Sequence, residues 1–139
     1  GARMIEVGAA LPTHTFTINR ELLKAYADAS GDQNPIHQNE EFALSVGLPN
    51  VIAHGMLTMG LAAGPVTQWL GDRGFVSSYQ VRFTKPVYVP ASGSVAVSVS
   101  ATLSKIDDPS EGSATLALSV SVGEGTTVLG KAFVVVSPR

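Results

Sequence analysis

Gly55-Met56-Leu57-Thr58-Met59-Gly60-Leu61-Ala62-Ala63-Gly64-Pro65-Val66-Thr67-Gln68-Trp69-Leu70 is apolar almost all round, and Gly71 follows it. The stretch reads as one helix, roughly 24 Å long at ~1.5 Å per residue. A helix with no polar face must be buried on most sides. Pro65, Gly60 and Gly64 predict a bend or a very close approach along it. The run lies in a longer segment, Phe42 to Gly71, that has no Asp, Glu, Lys or Arg. A membrane span needs ~20 consecutive apolar residues. Here Pro49, Asn50, His54, Thr58, Gly60, Gly64, Pro65, Thr67 and Gln68 interrupt the run, so a buried helix in a soluble domain is the reading.

Outward from this helix the pattern changes. After Gly74 the period becomes two. Tyr79, Val81 and Phe83 alternate with polar residues, then Val95, Val97, Val99, Ala101 and Leu103, then Ala114, Leu116, Leu118, Val120 and Val122. Val128 to Val136 makes a last strand after the Gly123-Glu124-Gly125 turn, and Asp107 to Gly112 is a connecting loop. Strands joined by short links predict an antiparallel meander with one face on a core. Upstream, Thr13 to Ile18 reads as a short strand. Asn19 caps a helix whose stripe is Leu22, Leu23, Tyr26 and Ala29, and Gly31 ends it. Asp32 to Gln38 is a loop, because Asn34-Pro35 disfavours helix. Asn39 caps a short helix through Val46, stopped by Gly47. The sum is an α+β architecture: a curved antiparallel sheet wrapped around one long helix.

Composition narrows the function. The chain has 139 residues, 45% hydrophobic and 14% charged, which is one folding domain. The net charge of -2 argues against a nucleic-acid partner. No cysteine is present, so thiolate nucleophiles, disulfides and Cys-based metal sites are excluded. A cytoplasmic location agrees with that. No basic segment followed by an apolar run opens the sequence. Met4 reads as the natural start, with Gly1, Ala2 and Arg3 an expression scar and residues 4–139 the domain.

The chemistry concentrates in Ser30-Gly31-Asp32-Gln33-Asn34-Pro35-Ile36-His37. A carboxylate and an imidazole five residues apart, on a Pro-stiffened loop, can hold one water and move its protons. Asp, Asn and Pro also build ordinary turns, and the residues by themselves leave that reading open. Ala53-His54-Gly55-Met56 opens the apolar helix, where backbone N–H groups lack intrahelical partners and the dipole is positive. An oxygen gaining negative charge would be stabilised there, and Gly55 lets it approach the backbone. Gly55 can equally be a packing glycine. His54 reads as a structural hydrogen bond near the helix start, and His14 as a surface residue. Three scattered histidines predict no metal site, and Gly55 to Gly60 lacks the lysine of a phosphate loop. Met56, Met59, Leu61 and Trp69 are candidates for an acyl-sized apolar pocket, against the plainer reading that they are core.

Tyr26-Ala27-Asp28-Ala29-Ser30-Gly31-Asp32-Gln33-Asn34-Pro35-Ile36-His37 resembles the hydratase signature of the MaoC-like, hot-dog-fold family. Ile52 to Gly60 resembles that family's central-helix start, and Val81-Arg82-Phe83-Thr84-Lys85-Pro86-Val87 its later strand motif. The likeness is strongest to the catalytic subunits of mycobacterial-type (3R)-hydroxyacyl-acyl-carrier-protein dehydratases, within a group that includes (R)-specific enoyl-CoA hydratases.

The resemblance implies reversible hydration of a trans-2-enoyl thioester to the (3R)-hydroxyacyl thioester. It makes Asp32 and His37 the catalytic dyad, Asn34 a support for the dyad or its water, and Gly55 the N–H donor to the thioester carbonyl. It implies no cofactor. Arg82 and Lys85 become candidates to meet the phosphates of CoA or a phosphopantetheine arm, where otherwise they read as a solvated strand face. It also implies a dimer, with a copy of this chain or with a second, acyl-binding hot-dog subunit. Two departures stand out. Asn39 occupies a position where many relatives carry an acid, and Ala62 and Ala63 stand where some hydratases place a polar residue. A hot-dog thioesterase and a non-catalytic acyl-binding subunit are the competing functions; the intact dyad block opposes both.

Overall fold

The computed structural model describes residues 6–108 and 112–139. Met4, the residues before it and the Pro109–Glu111 part of the expected loop lie outside the described residues. Strand β1 (His14–Ile18) leads into α1 (Arg20–Ser30), a single 3-10 turn (Pro35–His37) and α2 (Glu40–Ser45). Helices α3 (Gly55–Ala62) and α4 (Gly64–Leu70) follow, then β2 (Gly74–Phe83), β3 (Val95–Asp108), β4 (Ser113–Val122) and β5 (Thr126–Pro138).

The five strands form one antiparallel sheet in the order β1-β3-β4-β5-β2. The expected meander therefore holds from β3 to β5, and β2 departs from it. The chain leaves β2, crosses through residues 84–94 and returns as β3 on the far side of β4 and β5. There β1 takes its free edge, with Phe16 opposite Val97 and Ile18 opposite Val95. Alternation sets which face is inside. Val97, Val99, Ala101, Leu103, Leu116, Val120 and Val134 are buried, while Ser98, Ser100, Ala117 and Ser119 alternate with them along β3 and β4. Register shifts within β2–β5, β3–β4 and β4–β5 mark bulges. Bulges bend strands and raise their twist, which curls the sheet around the helices. In β2, Tyr79 and Val81 pack on the core as the pattern predicts, but Phe83 is exposed. The ladder slips between Gln80 and Arg82, and opposite it β5 takes Lys131 through a left-handed φ of 44°.

The apolar run is two helices rather than one bent helix. Proline has no N–H, and inside a helix its ring would clash with the carbonyl four residues back, here Leu61. The chain instead tightens, with the Ala63 N–H donating to the Gly60 carbonyl at 3.3 Å. A new helix then begins with Pro65 in its first turn, where a missing N–H costs nothing. Leu57, Thr58 and Ala62 of α3 and Pro65, Val66 and Leu70 of α4 fill the concave face of the sheet. Helix α1 is capped as expected: Asn19 Oδ1 accepts from the Leu22 N–H at 2.8 Å, and Gly31 closes it at φ 83°. Its buried stripe is rotated from the expected one, with Leu23 and Ala27 fully buried and Ala29 exposed. Helix α2 takes its cap from Asn39, whose Oδ1 accepts from the Phe42 N–H at 3.0 Å. The layout is a hot-dog fold.

Candidate active site

The loop after α1 is a chain of side-chain-to-backbone turns. Ser30 Oγ accepts from the Asp32 N–H at 3.2 Å, Asp32 Oδ1 from the Asn34 N–H at 3.2 Å, and Asn34 Oδ1 from the Ile36 N–H at 3.1 Å. Short polar side chains do this because they reach backbone two residues on without strain. Pro35 then starts the 3-10 turn that ends at His37. The turn-building reading of Asp32 is thus true of one of its oxygens. Its other oxygen, Oδ2, lies 4.0 Å from His37 Nε2. That gap exceeds a hydrogen bond, and one water oxygen can sit within reach of both atoms.

The imidazole is fixed from its other side. His37 is buried, and its Nδ1 lies 2.7 Å from the Ile52 carbonyl oxygen. A carbonyl only accepts, so Nδ1 carries the proton and Nε2 turns a lone pair toward Asp32. Ile52 belongs to a segment stitched in place by backbone bonds. Its N–H donates to the Ile36 carbonyl at 3.1 Å, Ala53 N–H to Val87 at 2.8 Å, and Val89 N–H to Val51 at 2.9 Å. Arg20 reinforces the stitch, donating to the Val89 carbonyl at 2.9 Å and to Asn50 Oδ1 at 2.8 Å. This segment delivers His54 and Gly55 to the start of α3. Phe83 lies over Gly55 so closely that a Cβ there would stand 2.9 Å from its ring. A side chain at position 55 would therefore have to displace the Phe83 ring.

A cavity of about 640 Å³ opens at this point. Asp32, His37, Gly55 and Met56 all border it. Tyr26, Thr58, Phe83, Val87, Val128 and Leu129 supply much of the rest of its wall, and Lys85 is its cation. Asn34 does not border it; its Oδ1 accepts from the Ile36 N–H. Met59 and Trp69 also lie elsewhere and do not form its wall. The Met59 carbonyl accepts from the Tyr79 hydroxyl at 2.6 Å, with that hydroxyl's pKa pushed up to about 12 by burial. Trp69 sits beyond the helix break, its ring covered by the Arg73 guanidinium at 5.2 Å. Arg82 is likewise off the cavity. Phe83 and Val87 lie in the Val81–Val87 strand motif, which has no place in a pocket in the sequence reading; Val128 and Leu129 carry no local signal, since β5 reaches the site only through the curl of the sheet.

The histidines are not all scattered. His37 and His54 stack, centroids 3.8 Å apart and planes 22° apart. Burial disfavours the charged form of His54 and lowers its pKa; the Asp32 carbonyl opposes that shift and His37 adds to it. Asp32, His37 and His54 bring three metal-ligating atoms within 4.8 Å of one another. Stacked rings send their in-plane lone pairs side by side rather than to one point, so this donor set fits a metal poorly. His14 is exposed.

A curled sheet, a central helical pair, and an aspartate and histidine beside the helix start define a hot-dog domain of the hydratase kind. Residues 6–121 match the MaoC like domain, and the chain belongs to that family. It is 37% identical over 86 residues to 3-hydroxyacyl-thioester dehydratase X of Mycobacterium tuberculosis, covering 62% of this chain and 30% of that protein. It is 33% identical over 115 residues to 3-hydroxybutyryl-CoA dehydratase of Methylorubrum extorquens, covering 82% of this chain and 70% of that protein. A solved MaoC-like dehydratase superimposes with TM-score 0.88 at 36% identity, over 97% of this chain and 41% of the other. Structures at lower identity that share the fold include chains of the ChsH1–ChsH2 and HadBC complexes of M. tuberculosis, with TM-scores of 0.83 and 0.74. The chain thus spans about a third of its mycobacterial relative and under half of the solved dehydratase. Among the described residues, no helix is long and apolar enough to cross a membrane.

Proposed function

We propose that this domain catalyses the reversible addition of water to a trans-2-enoyl thioester, giving the (3R)-hydroxyacyl thioester. The observation that carries the reading is the placement of Asp32 Oδ2 and His37 Nε2, 4.0 Å apart, on the cavity that Gly55 borders. The names of the relatives in this family support it. Water bound between the two side chains loses a proton as its oxygen attacks C3. The electron pair moves through C2 to the thioester oxygen, and C2 then takes a proton. His37 Nε2 is the free base of the pair, since Nδ1–H is committed to Ile52. The barrier lies in charge gathering on the thioester oxygen. The Gly55 N–H and the positive end of α3 meet that charge; losing one such donor typically costs ~3 kcal/mol in barrier. Asp32 and His37 attack from one face, so addition is syn.

The mostly apolar wall suits an acyl chain, and Lys85 suits the phosphate of a CoA or carrier-protein arm. The domain pairs with a second hot-dog subunit or a copy of itself. Strand β2 is an edge of the sheet, and Phe75, Phe83 and Met56 near it are exposed. The cysteine-free sequence suits work in the cytoplasm. The test is hydration of crotonyl-CoA, followed at the enoyl-thioester absorbance, for the wild type, Asp32→Asn and His37→Ala. The reading requires activity in the wild type and its loss in both folded variants. Activity unchanged in both would overturn it.

A further inference from the structure

His54 is 2% exposed and precedes Gly55 at the start of α3, yet its side chain makes no capping bond to the helix. Its ring touches three neighbours instead. One face stacks on His37, an edge meets the Tyr26 ring at 4.8 Å, and Nε2 lies 3.2 Å from the Asp32 carbonyl oxygen. The carbonyl can only accept, so Nε2 holds the proton and Nδ1 is a bare lone pair. That Nδ1 is buried without a hydrogen-bond partner among the described residues. An apolar ring would fill the same space without leaving a buried acceptor unpaired. The value of a histidine here lies in its other nitrogen.

Three bonds stitch the Asp32–Gln38 loop to the segment before α3. The Ile52 N–H donates to the Ile36 carbonyl, the His37 Nδ1–H to the Ile52 carbonyl, and the His54 Nε2–H to the Asp32 carbonyl. The first two anchor residues at the end of the loop. The third reaches its beginning; the other bonds of Asp32, to Ser30 and Asn34, lie within the loop itself. We infer that His54 is a positioning residue: with its edge it holds the Asp32 backbone, with its face it holds the His37 ring, and so it sets the carboxylate-to-imidazole distance. This requires the neutral Nε2–H form. A proton on Nδ1 would find no acceptor and would put a cation flat against His37. The inference rests on the dyad reading above and adds to it a third side chain that never touches the reacting atoms.

Two substitutions separate edge from face. His54→Phe keeps a ring to stack and removes the donor. His54→Gln keeps an N–H donor and removes the stack. In crotonyl-CoA hydration, His54→Phe should lose on the order of 10²-fold in kcat with little change in KM, as expected for a misplaced catalytic pair. His54→Gln should recover part of that loss, the unrecovered remainder being the share of the stack on His37. Asp32→Asn, run alongside, tests the dyad separately: full activity there sinks the dyad reading itself. If Asp32→Asn is inactive while His54→Phe turns over like the wild type, or if His54→Phe and His54→Gln are equally impaired, the positioning role is wrong. Nitrogen-15 NMR of histidine-labelled wild-type protein gives a check that needs no variant to fold. It should show His54 at neutral pH protonated on Nε2 and bare on Nδ1; the opposite tautomer or a cation there overturns the inference.

Discussion

The sheet and the Ser30–Gln38 loop face the same interior and are held by opposite means. In the sheet, each inward residue has one task. Val99, Leu116, Val120 and Val134 are fully buried, and their side chains do nothing but exclude water and fill space. In the loop, the key residues divide their atoms. Asp32 gives Oδ1 to the Asn34 N–H and leaves Oδ2 for His37; His37 gives Nδ1 to Ile52 and leaves Nε2 for the cavity. The difference teaches where function can be removed without unfolding the protein. A sheet residue is all scaffold, whereas Asp32 and His37 each hold the backbone with one atom and turn another toward the cavity.

The largest effect that separates the two regions is on rate. His37→Ala should lower kcat by about 10²–10⁴-fold, the usual worth of a positioned acid–base group. Its melting temperature should fall far less than that of a core truncation. Steady-state kinetics paired with thermal melts check this, and comparable losses of stability in the two would erase the contrast. Next, Leu116→Ala removes a fully buried side chain opposite Val134. It should cost about 2–5 kcal/mol of unfolding free energy in urea titration. The residual folded fraction should keep its turnover number.

Gly55→Ala tests the seam between the regions. A methyl there would meet the Phe83 ring at 2.9 Å. The exposed ring can swing away, so strain of about 1–3 kcal/mol is the ceiling, and the displaced ring would cross the cavity. Turnover should drop, and adding Phe83→Ala should restore part of it. No rescue would mean the methyl acts on the backbone donor itself.

The smallest effect is in acid. His54 has its pKa lowered from the ordinary 6.5 by burial, so the unfolded chain binds its proton more readily than the folded one. Stability from this group is complete above 6.5 and declines as pH falls through and below it. The wild-type melting temperature should fall between about pH 7.5 and about pH 5.5, and fall less in His54→Phe. Equal falls in both would assign the acid sensitivity elsewhere.

Most of the sheet was legible because period two survives in Val97–Leu103 and Ala114–Val122, where one face is buried throughout. What could not be read was the neighbour of β2. Its pairing with β5 spans some fifty residues and leaves no local mark, whereas only a few residues separate β3 from β4 and β4 from β5. Pro65 announced an interruption, and the choice between bend and break depended on whether the Gly60 carbonyl could take the Ala63 N–H, a matter of packing. In the site, the local pattern made Asp32, His37 and Gly55 candidates but left a plain turn and a packing glycine open, and it was the resemblance to the hydratase signature that singled them out. Met59 and Trp69, offered for a pocket against the plainer reading of core, do not line the cavity, because hydrophobicity alone does not say which side of a buried helix faces it. His54 looked like a structural hydrogen bond at the helix start; the bond exists, but its acceptor is Asp32, a residue only the fold brings near.

The most direct test of the account is the stereochemistry of hydration in deuterated water. If Asp32 and His37 act from one side of the enoyl thioester, as proposed, water should add to crotonyl-CoA in syn fashion, and the proposed function makes the product (3R)-hydroxy. Deuterium should enter C2 on the face that received the oxygen at C3, as read by proton NMR of the isolated product. Deuterium delivered to the opposite face would contradict a mechanism run by this single pair, and a (3S) product would contradict the proposed (3R) outcome.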